Sequence, residues 1–311
     1  MVHVYDCPTM ELKRLFRTSR RRVGPGADEE SATTPHVASA PPRPWEQIAR
    51  ADVADHPRTI DDILDRRLDG VTVTSVFSPD EVERAVAAVA DTEPLRRVFP
   101  NGSVLGMPIG HIGPESQDRT EFFAAAEESR ELYRVAFGFD PHDRVAAAVA
   151  PLAGGRQLQQ PCEAGHEYIP GHLRWLDPEA AGLRAHADGE FGREMRHGSM
   201  SCLDSTTEIV GHLSYFVVMQ RPASGGTLTV YDEAWDPDDQ DVPHFDSGNR
   251  PDGWAEALPS ITVDPGPGDM VVFGGGWRWH RIEPIGGPLH RITYGGFVAP
   301  SRTGRELHFW C

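Results

Sequence analysis

Lysine is almost missing from this 311-residue chain: of 30 basic residues, Lys13 is the single lysine and the others are arginine. Positive charge is scarce overall, because 47 acidic residues leave a net charge of −17. A field of that sign repels phosphate, which argues against a protein that wraps nucleic acid or rests on an anionic membrane. Long hydrophobic runs are missing too, and nothing approaches the roughly 20 apolar residues that span a bilayer. Arg20-Arg21-Arg22 imitates a twin-arginine signal, but a polar Gly/Pro/Asp/Glu stretch comes next in place of an apolar segment. No signal peptide is therefore expected. Cysteine is sparse: Cys7, Cys162, Cys202 and Cys311 are scattered, with no C-x-x-C. That excludes a zinc knuckle or a disulfide framework and points to a reducing cytoplasm.

What is present is ordinary for a globular protein: 39% apolar and 25% charged residues, in a length that suits one large domain or two small ones. Residues 1–44 are expected to be a disordered tail, since 22–43 hold Pro, Gly, Ser, Thr and Ala and almost nothing large and apolar. The basic cluster at 13–22 reads as a solvated tail in preference to an interaction arm. Residues 45–160 read as an N-terminal α/β support region. Within it 60–67 is a short helix and 70–77 alternates with period two, as a strand does. Ser78-Pro79-Asp80-Glu81 then opens a helix, with Ser78 as N-cap, Pro79 at the first helical position and Glu81 closing a capping box. Two more helices are expected over 120–137 and 141–149.

The character changes at 161–311. Strand-like segments at 166–176, 182–187, 209–220, 226–231, 261–263, 269–273, 280–284 and 290–298 succeed one another between turn signals. Inserts interrupt them near 192–207 and 232–258. Many short strands with Gly/Pro turns argue for a sandwich or barrel, so the fold class is mainly β with flanking α. No internal repeat stands out.

The chemistry centres on His186-Ala187-Asp188, at the end of an expected strand. Residues i and i+2 share a face there, so one imidazole and one carboxylate can chelate one metal ion. A third ligand must come from elsewhere among 14 histidines. His280 is favoured, because it opens a strand after Gly268-Asp269-Met270-Val271-Val272-Phe273 and the loop Gly274-Gly275-Gly276. His212, inside an apolar strand, His244, in a polar insert, and His290, facing away from Arg291, are the competitors. Eleven residues beyond His280, Arg291-Ile292-Thr293 again sets two side chains on one strand face.

This set resembles the iron(II)/2-oxoglutarate-dependent oxygenases, of the prolyl-hydroxylase-like type. The flanking words are similar as well: Gly225-Gly226-Thr227-Leu228-Thr229-Val230-Tyr231 is similar to the strand between the metal ligands, and Gly268 through Phe273 to the strand before the second histidine. Tyr168-Ile169-Pro170-Gly171 resembles a strand upstream of the first ligand, and Asp69-Gly70-Val71 through Glu81 an opening strand and helix. The likeness spans about residues 60–300. It implies a double-stranded β-helix (a jelly roll, cupin-like) and a facial triad of His186, Asp188 and His280 on Fe(II), with three positions open. It further implies 2-oxoglutarate and O2 as co-substrates, with Arg291 gripping the distal carboxylate through its planar fork and Thr293 and Tyr168 adding hydrogen bonds. Arg281 is the alternative clamp, although its position beside His280 turns it to the other face.

The reaction so implied is hydroxylation of an unactivated C–H in a small polar metabolite, a free amino acid or a specialised-metabolism intermediate. No nucleic-acid, membrane or partner-binding module is expected. Desaturation, epoxidation or ring closure on the same scaffold, a metal enzyme of the cupin type that does not use 2-oxoglutarate, and a non-catalytic jelly roll remain rivals. In the halogenases that resemble this family a Gly or Ala replaces the metal-binding carboxylate and admits chloride. Asp188 fills that position here, so no halogenation is expected. Arg174, Glu190 and Trp277 are the candidate substrate residues, with Trp279 as a further wall or core residue. The 232–258 insert is expected to act as a lid, and the apolar 308–311 end to fold back onto the domain.

Overall fold

The computed structural model describes residues 44–112, 118–236 and 254–311. The tail expected over 1–44, but for its last residue, and residues 237–253 of the expected lid lie outside them. In chain order the principal elements begin with β1 Trp45–Ala49, α1 Thr59–Leu64, β2 Gly70–Thr74, α2 Pro79–Ala88, β3 Arg96–Phe99 and β4 Gly102–Leu105. Then come α3 Thr120–Phe137, α4 Pro141–Val149, β5 Gln157–Gln159, β6 His172–Leu176, β7 Leu183–His186, α5 Asp188–Met195 and α6 Ser201–Thr206. The chain closes with β8 Leu213–Gln220, β9 Leu228–Ala234, β10 Ser260–Val263, β11 Met270–Phe273, β12 Arg278–Ile282, β13 Arg291–Pro300 and β14 Glu306–Trp310.

Two sheets face one another. The larger runs β1-β2-β11-β8-β13-β6-β4-β3, with β14 on β13 and β5 on β14; the smaller runs β10-β9-β12-β7. The eight strands from β6 to β13 divide equally between the sheets, mostly crossing from one to the other in turn. This is the double-stranded β-helix implied by the motifs. Parallel β1 and β2 extend the larger sheet, β2 pairing antiparallel with β11 from Met270↔Val73 to Phe273↔Gly70.

The larger sheet is covered on both faces, which explains why β2 and β11 read as unbroken apolar runs rather than alternating ones. Helices α1–α4 cover its outer face. Ile60, Phe77, Tyr133, Phe137 and Val145 pack there with Val71, Tyr215 and Tyr294 in the main core. The capping box at α2 forms as its sequence requires: Glu81 N donates to Ser78 Oγ at 3.3 Å and Ser78 N to Glu81 Oε2 at 2.8 Å. Between the sheets, Leu228, Val230, Val271, Phe273 and Ile282 form a second cluster that floors the site. The end of the chain does fold back: β14 pairs with β13, from Phe297↔Trp310 to Pro300↔Leu307.

The strand expected over 166–176 is shorter than its apolar pattern. Within 166–176 the five-residue strand starts only at His172, after Pro170-Gly171. Pro170 has no N–H for a ladder, and its carbonyl instead accepts the Tyr215 hydroxyl at 2.7 Å. The 192–207 insert is occupied by the end of α5 and by α6.

Candidate active site

The site lies between the sheets and is assembled by strand register. β7 and β12 run antiparallel with His280 directly opposite His186, and the two imidazole centroids are 4.3 Å apart. Ala187 continues the extended backbone, with φ −125° and ψ 126°. Asp188 therefore returns to the face of His186 while also starting α5. The glycine loop fixes this corner: Asp188 N donates to Gly275 O at 2.9 Å and Gly189 N to Gly276 O at 3.1 Å. The approach is close enough to require glycine. A Cβ on Gly275 would meet Ser214 Oγ at 2.0 Å, and one on Gly189 would meet Gly276 O at 2.1 Å.

His186 Nε2 stands 3.5 Å from Asp188 Oδ1 and His280 Nε2 stands 3.6 Å from Asp188 Oδ2, with one ligand atom from each residue within 4.8 Å of the others. Adjacent ligands of an octahedral ion lie roughly 3 Å apart, so small side-chain adjustments suffice to seat one. The donor chemistry fits as well. His186 Nδ1 is 2.7 Å from Arg184 O and His280 Nδ1 is 2.8 Å from Arg278 O. A carbonyl only accepts, so each Nδ1 carries the proton and each Nε2 presents its lone pair to the centre. Burial, helped by the neighbouring His186, lowers the His280 pKa to about 4, which keeps it neutral. Burial alone would raise the Asp188 carboxyl, but the facing His280 and His186 outweigh it and hold Asp188 well below the usual carboxylate range. Ser214 Oγ donates to Asp188 Oδ2 at 2.5 Å and fixes that oxygen.

Arg291 and Thr293 rise from β13 into the same pocket. Arg291 is 6% exposed, its Nε donates to Gly226 O at 2.8 Å, and its guanidinium lies over Phe216 at 5.1 Å. Burial, and then repulsion from Arg174, lowers its pKa to about 9, still cationic at neutral pH. A buried cation that no carboxylate faces among the described residues is a preformed anion site. Arg174 also lines the pocket.

Three sequence candidates are not brought there. The Tyr168 hydroxyl is spent on Glu163, and its ring packs against Phe122 and Phe123 in a separate cluster. Glu190 is buried outside the pocket, because the chain has turned helical: two residues along a helix rotate about 200° rather than returning to one face. Trp277 sits in the turn before β12 and belongs to the main core, with Arg66 over its ring at 5.6 Å. Of the rejected alternatives, Arg281 pairs with Glu283 at 2.8 Å, His290 stands by Asp177, His212 is packed against Phe297 and Trp310, and His244 lies outside the described residues. Sequence reasoning passed over Ser214 and Phe216, although period two along β8 puts both on the inner face. It also did not foresee Cys311 as part of the pocket wall.

A protein-family model described as the carrier-protein-independent halogenase WelO5 matches residues 43–311. The chain belongs to this family. As a WelO5-family member it stands among the Fe(II)/2-oxoglutarate oxygenases. A curated relative, the L-gamma-glutamyl-L-propargylglycine hydroxylase of Streptantibioticus cattleyicolor, is 31% identical over 134 residues, 41% of this chain. The match spans about half the length of that relative, 47%. Among solved structures, an N-substituted L-amino acid dioxygenase from Burkholderia ambifaria AMMD aligns over 80% of this chain and 89% of its own, at 14% identity and a TM-score of 0.48. A 2OG-Fe(II) oxygenase-family oxidoreductase from Burkholderia pseudomallei aligns over 81% and 93%, at 12% identity and a TM-score of 0.44. Among the described residues of this WelO5-family member, no helix is long and apolar enough to cross a membrane.

Proposed function

We propose that this protein hydroxylates a small molecule, with His186, Asp188 and His280 holding Fe(II) and Arg291 and Thr293 holding the distal carboxylate of 2-oxoglutarate. The observation that carries the reading is Asp188, a carboxylate set between two imidazole Nε2 atoms in a member of a family described as halogenases. When bound, iron and 2-oxoglutarate supply an oxidant able to remove a hydrogen atom from an unactivated C–H bond. The chain's own residues select the outcome. Ser214 and the Gly274–Gly276 loop hold Asp188 in place, so the position a halide needs is occupied. A second anion beside the buried carboxylate would be desolvated against like charge. Arg291 orients the co-substrate from the deep end, and Phe216 and Phe273 wall the pocket with apolar surface.

The concave cleft around His186, Asp188, His280 and Arg291, part of it open to solvent, suits a small molecule. The family description, independent of a carrier protein, and the amino-acid-derived substrate named in the curated relative support a freely diffusing metabolite, with free amino acids or specialised-metabolism intermediates first in line. Among the described residues Cys162, Cys202 and Cys311 form no disulfide, in keeping with a reducing cytoplasm. The test is to screen such metabolites for substrate-dependent succinate release with Fe(II), 2-oxoglutarate, O2 and excess chloride, and then to weigh the product. Gain of one oxygen atom is expected. A chlorinated product would replace the proposal with halogenation, and loss of two hydrogens with desaturation or ring closure.

A further inference from the structure

Arg174 is the charged pocket residue to which the oxygenase reaction gives no task. It lies on β6, in direct register with Thr293 of β13 on one side and Val104 of β4 on the other, and all three line the pocket. Directly opposed residues share a sheet face, so Arg174 is a diagonal, same-face neighbour of Arg291. Their fields overlap: Arg174 is the charge that adds to burial in lowering the Arg291 pKa. Among the described residues Arg174 makes no ion pair or hydrogen bond, and its guanidinium meets only the Phe99 ring, at 5.9 Å.

The charge count of the loaded site shows what is missing. The iron dication, Asp188, dianionic 2-oxoglutarate and Arg291 together sum to neutral. Arg174 remains as one uncompensated positive charge at the exposed side of the pocket, in a chain whose net charge is −17. Its planar fork matches a carboxylate, while adjoining Val104, Pro108 and Leu183 offer apolar contact to whatever carries that group.

We propose that Arg174 anchors a carboxylate of the primary substrate, which makes the substrate class a small organic acid with an apolar body. The inference rests on the iron and 2-oxoglutarate reading of the same pocket. It places the acid's head at the open side, on β6, and its body over the metal centre. Discrimination against a neutral isostere is the consequence, because an amide leaves the guanidinium uncompensated.

The test uses anaerobic protein loaded with Fe(II) and 2-oxoglutarate. The probes are L-leucine, L-phenylalanine and their N-acetyl derivatives, each paired with its primary amide. Binding is read by calorimetry and by perturbation of the visible iron–2-oxoglutarate absorption. The native protein is expected to prefer at least one acid to its amide by about tenfold or more, as a charge-assisted contact provides. Arg174→Gln should erase that preference while leaving 2-oxoglutarate affinity within about a factor of two. The retained absorption band shows that this variant is folded and loaded. Equal binding of acids and amides, or no acid bound at all, overturns the substrate class. A matching loss of 2-oxoglutarate affinity in Arg174→Gln reassigns the residue to the co-substrate and also overturns it. Absence of the band in the native protein defeats the underlying oxygenase reading instead.

Discussion

His280 stands directly opposite His186 across the β7–β12 ladder, with their imidazole centroids 4.3 Å apart. Two candidate ligands distant in sequence are thus fixed by one register. Removing the His280 side chain deletes a ligand but no ladder hydrogen bond. His280→Ala is expected to weaken Fe(II) binding by roughly 100-fold or more, with an unchanged near-UV circular dichroism spectrum. Anaerobic iron titration checks this, and unaltered affinity would remove His280 from the centre.

Ser214 acts one step further out. Its hydroxyl fixes Asp188 Oδ2 at 2.5 Å, and partners of this kind typically affect metal affinity by about 10–100-fold. Ser214→Ala should fall in that range and Ser214→Thr should retain most of the native affinity. A Ser214→Ala protein that binds iron normally would show that backbone contacts alone hold Asp188.

Arg291 is the proposed clamp for the co-substrate. Truncating a buried charge-assisted contact costs on the order of 2–5 kcal/mol, so Arg291→Ala should raise the 2-oxoglutarate KM by well over about tenfold while iron still binds. Arg291→Lys keeps the charge but loses the fork, and an intermediate KM is expected. A KM near the native value in Arg291→Ala would move the clamp elsewhere.

His142, in the first turn of α4, governs a pH effect on the fold itself. It packs edge-on against Phe309 at 4.9 Å, and burial lowers its pKa to about 4. The unfolded chain takes up this proton near pH 6.5 and the folded chain does not, so stability falls as pH drops from about 6.5 towards 4. Denaturant titrations of the native protein and His142→Gln over that window should differ in slope, with a total on the order of 2–3 kcal/mol. Parallel curves would show that His142 titrates normally.

How much of the site was legible in the sequence depended on whether backbone parity survived from one residue to the next. His186 and Asp188 could be paired because Ala187 stays extended. Arg291 and Thr293 could be paired because β13 is regular. Tyr168 was misplaced because Pro170-Gly171 breaks the strand before His172, and with it the alternation that would have aimed the ring into the pocket. Glu190 was misplaced because α5 begins at Asp188, so a period-two argument met a helical segment. Trp277 precedes β12 and falls in the turn, so its nearness to His280 in sequence does not set its direction. Ser214 shares no local motif with Asp188; their contact exists only once β8 and the start of α5 are packed together.

The central claim is that Asp188 occupies the iron position which a halide would need. It is tested most directly by crystals of the anaerobic Fe(II)–2-oxoglutarate complex grown in bromide, with anomalous data collected at the bromine edge. The expected result is an Asp188 carboxylate oxygen on the metal beside His186 and His280, with no bromide at the iron. Bromide bound to the iron, with Asp188 turned away, would contradict the account and return the protein to the reaction its family description names.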